Sequence, residues 1–169
     1  MEREQLILHD TSFVDLMSRR IFNVLIVANP YDAFMLEDDG RIDEKIFDEY
    51  AKLGLRYPPR FFRVATEEEA YDIINRMKFE LVICMPGIEV KKNVGVSGDV
   101  FDIARTIKSY SPEIPIVVLT PFSHGITKRM HNEDLSIFEY VFCWLGNTDL
   151  ILSIIKLMED KMNLQHDIE

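Results

Sequence analysis

Two cysteines are too few for a disulfide framework, and Cys84 and Cys143 stand far apart without adjacent histidines, unlike the usual metal-ligand spacings. Both fall inside apolar runs that read as buried strands, so each is expected to be a small buried hydrophobe. Glycine is sparse, at seven residues, and forms no Gly/Ser linker, no GxGxxG and no Walker A loop. The short Gly95-Val-Ser-Gly98 stands before Asp99, whose charge repels an anion, so it reads as a turn and cap. No internal repeat or low-complexity tract is present. No apolar run approaches the ~20 residues that span a bilayer. Met1 to Asp10 carry charge at both ends and no small-residue cleavage site, so a cytoplasmic location is expected, with no membrane partner. Basic charge is also short: 19 Lys and Arg against 29 Asp and Glu give a formal net charge of −10. That balance repels a phosphate backbone and argues against nucleic acid as a partner. The pairs Arg19-Arg20, Lys91-Lys92 and Lys128-Arg129 are not interleaved with aromatics and read as solvated surface.

What is present suits one domain with some decoration: 169 residues, 47% of them apolar. Strand-like runs alternate with helical patterns, which predicts an α/β fold with a parallel sheet covered on both faces. The strands are Asn23-Val-Leu-Ile-Val27, Phe61-Phe-Arg-Val-Ala65 (fixed at its start by Pro58-Pro59), Leu81 to Cys84, Ile114-Pro-Ile-Val-Val-Leu-Thr120 and Phe138-Glu-Tyr-Val-Phe-Cys143. Five such strands predict a doubly wound sheet.

Helix ends are readable. Thr66-Glu-Glu-Glu69 is a capping box, followed by an apolar face of Ala70, Ile73, Ile74 and Met77 at helical spacing. Asp99 or Ser97 caps the next helix, with Phe101, Ile103, Ala104 and Ile107 inward and Pro112 at the exit. The last helix is expected over Thr148 to Met162, with Leu150, Ile151, Ile154, Ile155 and Met158 as its stripe. Two additions exceed a minimal five-strand domain. Leu6 to Arg20 carries a short helix capped by Thr11 or Ser12, with Phe13, Leu16 and Met17. An acid-rich insertion, Tyr31 to Asp43, reads as a solvated loop that delays the first main helix to Glu44–Leu53. It lacks the ligand spacing and glycine placement of a calcium loop. The segment Asn163 to Glu169 stops without a turn or capping glycine, which suggests an expression boundary or a helix leading into another domain. The expected division is therefore an extension over 1–20, a main domain over 21–163 and a tail or linker over 164–169.

Phe79-Glu-Leu-Val-Ile-Cys-Met85-Pro-Gly87, Ile114-Pro-Ile-Val-Val-Leu-Thr120 and the helix opening Ala65-Thr-Glu-Glu-Glu-Ala70 together resemble the receiver domain of two-component response regulators, over roughly Asn23 to Met162. The resemblance implies a CheY-like, flavodoxin-like strand order of 2-1-3-4-5. An active receiver holds Mg²⁺ on an acidic pair after strand one and on a strand-three aspartate that is also the nucleophile. A Ser or Thr after strand four and a Lys after strand five complete the site. Here the acidic pair maps to Ala28-Asn29, the nucleophile to Met85 and the lysine to Cys143 or Trp144. Only Thr120 matches its family position. The resemblance thus implies a degenerate pocket with no catalytic residue, no metal and no cofactor. Asp32 or Glu89 is the nearest source of an unorthodox metal site.

Ile21-Phe-Asn-Val-Leu-Ile-Val-Ala-Asn-Pro-Tyr-Asp32 and Leu150-Ile-Leu-Ser-Ile-Ile-Lys-Leu-Met-Glu-Asp160 add a narrower resemblance. They look like the degenerate receiver-type region at the N-terminus of large bacterial proteins that resemble phosphoenolpyruvate synthase or pyruvate phosphate dikinase. This implies a regulatory module whose partner is another protein or the downstream domains of its own chain. The family signals through its fourth helix, fifth strand and adjoining loops, which here include Phe122, His124, Tyr140, Phe142 and Trp144. Trp144, the single tryptophan, reads either as a plug for the empty phosphate pocket or as a partner anchor. Two other classes of function stay open. One is a ligand-binding domain sensing a small metabolite or nucleotide at the strand ends; the other is a structural unit forming a homodimer.

Overall fold

Apolar runs of four or five residues, too short for helices and bounded by turn formers, become the strands of one sheet. The computed structural model describes residues 20–36, 41–52, 54, 57–85, 100–120, 135–144 and 149–166. In chain order these give β1 Asn23–Val27, α1 Pro30–Leu36, α2 Ile42–Lys52, β2 Arg60–Val64, α3 Glu67–Arg76 and β3 Leu81–Cys84. There follow α4 Val100–Tyr110, β4 Ile116–Thr120, a single 3₁₀ turn Leu135–Ile137, β5 Tyr140–Cys143 and α5 Leu150–His166. The sheet is parallel throughout, in the order β2-β1-β3-β4-β5, as expected for a doubly wound domain.

The three central strands are buried on both faces, which is why β1, β3 and β4 read as unbroken apolar runs rather than alternating ones. Leu25, Val27, Val82, Cys84, Ile116 and Val118 share one face and pack with Ala70 and Ile74 of α3 and Phe101, Ile103, Ala104 and Ile107 of α4. Each valine, leucine, isoleucine or phenylalanine among them, taken wholly out of water, contributes about 1.5–3 kcal/mol before the entropy of ordering it is subtracted. Two aromatic contacts lock this layer. Phe79 meets the ring of Phe62 edge-on at 5.5 Å, and Phe101 meets Phe138 at 5.2 Å.

The capping box at α3 is present in modified form. The Glu69 N–H donates to Thr66 Oγ1 (3.2 Å), but the Glu69 carboxylate accepts from the Ala65 N–H (2.9 Å), one residue before the cap. Helix α2 ends through Gly54, whose φ of 68° is the left-handed conformation that closes a helix without a side-chain penalty.

Several expectations are corrected. The acidic stretch 31–43 is not simply a loop: Pro30–Leu36 is helical, and α2 already begins at Ile42. Asn29 accepts the Asp32 N–H at its side-chain oxygen and Pro30 fills the first helical position, so the chain turns helical directly after β1. Strand β4 starts two residues later than expected because Pro115 has no N–H for the ladder, although its carbonyl accepts from Val82 (3.1 Å). The last helix does not stop at Met162. With no proline or glycine to break it, it runs on to His166, so residues 164–166 of the expected tail are helix.

The sheet belongs to a compact unit spanning Phe22–Thr148; a second unit comprises Met1–Ile21 and Asp149–Glu169. Within the second unit Ile151, Ile154, Ile155 and Met158 form the buried stripe of α5. There the Ile21 N–H donates to Glu159 Oε1 at 3.1 Å. The expected N-terminal helix with its Thr11 or Ser12 cap, the caps Ser97 and Asp99, and the Gly95–Gly98 turn lie outside the described residues.

Candidate functional site

In a parallel sheet every strand ends at the same edge, so residues distant in sequence converge there. The register aligns Val64, Val27, Cys84, Val118 and Val141 across the five strands. One residue further on, Ala28 and Met85 stand side by side. The Met85 N–H donates to the Val27 carbonyl (2.9 Å), and the Ala28 N–H donates to the Val64 carbonyl (3.1 Å). Both side chains are sealed from water, Met85 at 1% exposure and Ala28 at 2%. Thr120 and Cys143 are paired at the ends of β4 and β5, and the Trp144 N–H donates to the Thr120 carbonyl (3.0 Å). The sequence positions singled out at Ala28, Asn29, Met85, Thr120, Cys143 and Trp144 therefore all lie at one edge of one sheet.

Their chemistry is mostly apolar. Asn29 and Thr120 are the polar members, and both ends of the Asn29 amide are engaged: Oδ1 accepts from the Asp32 N–H (2.8 Å), and Nδ2 donates to Asp32 Oδ2 (2.6 Å). Asp32, read from sequence as a candidate metal ligand, is thus turned onto the cap of α1. Glu89, the other candidate, lies outside the described residues. Among the described residues no three His, Cys, Asp or Glu side chains come together as a metal site.

The two cysteines differ. Cys84 is wholly buried, and loss of water around the thiolate pushes its thiol up to about 12. Cys143 is exposed, which corrects the expectation that both are buried. Among the described residues strand β5 has a neighbour on one side only, and its residues alternate between half-buried and exposed.

On that strand Tyr140 and Phe142 share a face, level with Val117 and Leu119, and their rings stack at 5.6 Å and 24°. Both are half-buried, as is Trp144. The remaining members of the expected interaction surface, Phe122 and His124, lie outside the described residues. One pairing was not read from sequence: the Tyr71 hydroxyl donates to Glu67 within α3, and its ring lies 6.1 Å from that of Tyr110 on α4. Burial first, and that bond second, raise the Tyr71 phenol above its ordinary range. The sequence signal was the i, i+4 spacing of Glu67 and Tyr71.

No protein-family model and no curated protein sequence matches this chain. Solved structures do. The signal receiver domain of a putative LuxO repressor protein from Vibrio parahaemolyticus is similar at TM-score 0.59 and 18% identity, over 89% of this chain and 98% of that one. RcsB from Salmonella enterica serovar Typhimurium, bound to a promoter in the presence of a phosphomimetic, is similar at TM-score 0.57 and 17% identity, over 83% of this chain and 61% of its own. NtrX from Brucella abortus gives TM-score 0.62 at 11% identity, over 88% of this chain and 29% of its own. This chain thus spans under two thirds of RcsB and under a third of NtrX, and nearly the whole of an isolated receiver. With the sheet order observed here, these likenesses establish the fold as that of a response-regulator receiver domain.

Proposed function

We propose that this chain is a receiver-fold regulatory module that takes up no phosphoryl group and acts through contacts with protein. Met85 carries the reading. Its thioether stands at the end of β3 where the family places the nucleophile, and it is buried beside Ala28 rather than presented to solvent. Phosphoryl transfer is chiefly positioning plus dispersal of negative charge onto metal and cation. Mg²⁺ demands a near-octahedral shell of oxygens. Ala28 offers no ligand atom, Met85 offers a soft sulfur, and the amide of Asn29 is engaged by Asp32. The residues present do not fit that ion. At the end of β5, neither Cys143 nor Trp144 supplies the cation that would neutralise a bound phosphoryl group.

The surface we assign to protein contact is strand β5 and its end, with the half-buried Tyr140, Phe142 and Trp144 as its described members. On the resemblance of 21–32 and 150–160 to the front of phosphoenolpyruvate synthase-like proteins, the partner is a set of downstream domains in the same chain. An immunoblot of native cells against this domain checks that point: a band far above 19.8 kDa is expected, and a band at that mass transfers the role to a partner in trans.

Beryllofluoride with Mg²⁺ tests the pocket itself. A ligand that binds only the folded state raises its thermal midpoint by mass action. An intact phospho-acceptor site would respond, whereas here no shift is expected. A saturable rise that requires both Mg²⁺ and beryllofluoride would overturn the reading.

A further inference from the structure

Helix α5 buries Ile151, Ile154, Ile155 and Met158 on one face. Beside that face runs a second apolar row that the chain leaves partly uncovered. Leu150, Leu157 and Leu164 recur every seven residues, two helical turns, and so stand one above another along the helix. Leu150 is half-buried, while Leu157 is 38% and Leu164 64% exposed. A single exposed leucine needs no explanation. Three in one row, along a helix of 17 residues and about 25 Å, make a seam of the kind that pairs helices.

Charge selects both the occupant and its direction. Within α5 the lysines Lys156 and Lys161 balance the carboxylates Glu159 and Asp160, and Asp149 stands just before the first turn. Although the whole chain carries −10, a second copy therefore meets a nearly neutral helix here. Helical spacing puts the exposed Asp149, Lys156 and Asp160 on one flank of the leucine row and the half-buried Lys161 on the other; Glu159 lies on the opposite side of the helix. In a parallel pair Asp160 would face its own copy, and Lys156 would face Lys161 of the other chain, so like charges would oppose. An antiparallel pair turned about Leu157 behaves differently. Leu150 packs on Leu164 of the other copy, and Lys156 comes nearly level with Asp160 of the other copy, twice by symmetry. The two copies of Asp149 stand about 24 Å apart along the axis and those of Lys161 about 12 Å. We propose that α5 pairs with α5 of a second copy of this chain, antiparallel about Leu157, with the leucine row as seam and Lys156 and Asp160 fixing the direction. This pairing does not depend on whether the phosphoryl pocket is active or on the contacts assigned to β5.

Sedimentation equilibrium of the full chain over a wide concentration range is the first test. A mass that climbs from 19.8 kDa toward twice that value is expected. Leu157→Ser, at the centre of the seam, should weaken the dimer about tenfold or more, and Leu164→Ser should weaken it as well. Both side chains meet water in the monomer, so thermal midpoints taken where the wild type is monomeric should not fall. Mixing tests the direction. Asp160→Lys sets a cation against Lys156 of the other copy, and Lys156→Asp sets a carboxylate against Asp160, so each variant alone should associate more weakly than wild type. An equimolar mixture of the two should restore the dimer, because every flank contact between unlike chains is then of opposite charge while neither chain has changed internally. A monomer at every concentration would overturn the proposal. So would a dimer indifferent to Leu157→Ser, or two charge variants that associate no better mixed than apart.

Discussion

Cys84 and Met85 are consecutive residues, wholly or almost wholly buried, and burial has different consequences for each. For Cys84 it withholds ionisation. An unfolded thiol ionises near 9.0, while in the folded chain the group is pushed up to about 12. Below the lower value the thiol is neutral in both states and its full contribution to stability is present. Between the two values only the unfolded chain releases the proton, so stability is lost as pH rises through that window. Urea midpoints measured across it should fall, and Cys84→Ala should fall less steeply than wild type. A thiol reagent should label Cys143 at once and Cys84 only after denaturant is added, because one is exposed and the other is not. Met85→Asp should lower stability by at least about 2 kcal/mol, since it buries a carboxylate without a partner. Urea denaturation would show this loss, larger at neutral pH than in acid. The same variant should still gain no phosphate, because ligands and cation stay absent. The burial of Cys84 was legible from the continuous apolar run that contains it. The exposure of Cys143 was not: Tyr-Val-Phe-Cys is equally apolar, and only its place at the sheet edge separates it from a central strand.

Helix ends decide where each element enters the sheet. Thr66 opens α3 by accepting the Glu69 N–H, so Thr66→Ala should cost about 1 kcal/mol in urea denaturation. Asn29 does the same for α1, and Asn29→Ala should cost a similar amount, about 1 kcal/mol, with Asp32 released from its cap. A variant within experimental error of wild type at either position would show that the cap does not hold the helix. The Thr66 cap was legible because threonine and Glu69 stand at box spacing ahead of a four-residue apolar face. The Asn29 cap carried the same kind of signal: asparagine, then proline, then aspartate at the third helical position. The acids that follow it outweighed that signal. A helix of seven residues, with only Ala33 and Leu36 turned inward, also offers too little periodicity to read. The end of α5 was misread for the converse reason, since a chain with no breaker continues as helix.

Across the whole molecule the order of the sheet follows from alternation. Five short apolar runs separated by helical patterns leave a parallel, doubly wound arrangement as the economical solution, and right-handed crossovers fix its hand. That much was readable before any coordinates. So was the convergence of Ala28, Met85, Thr120 and Trp144, because in a parallel sheet the residues that end strands must meet at one edge. The partner was not readable. A surface is defined by what remains exposed once the core is made, and Phe47 looks like any helical core residue until Ile42, Ile46 and Tyr50 are seen to take the inward stripe. The central claim, a receiver fold without phosphoryl acceptance, is tested most directly by intact mass spectrometry of the full chain after incubation with acetyl phosphate and Mg²⁺. An unchanged mass is the expected result. A stoichiometric phosphate adduct, lost on treatment with hydroxylamine as an acyl phosphate would be, would contradict it.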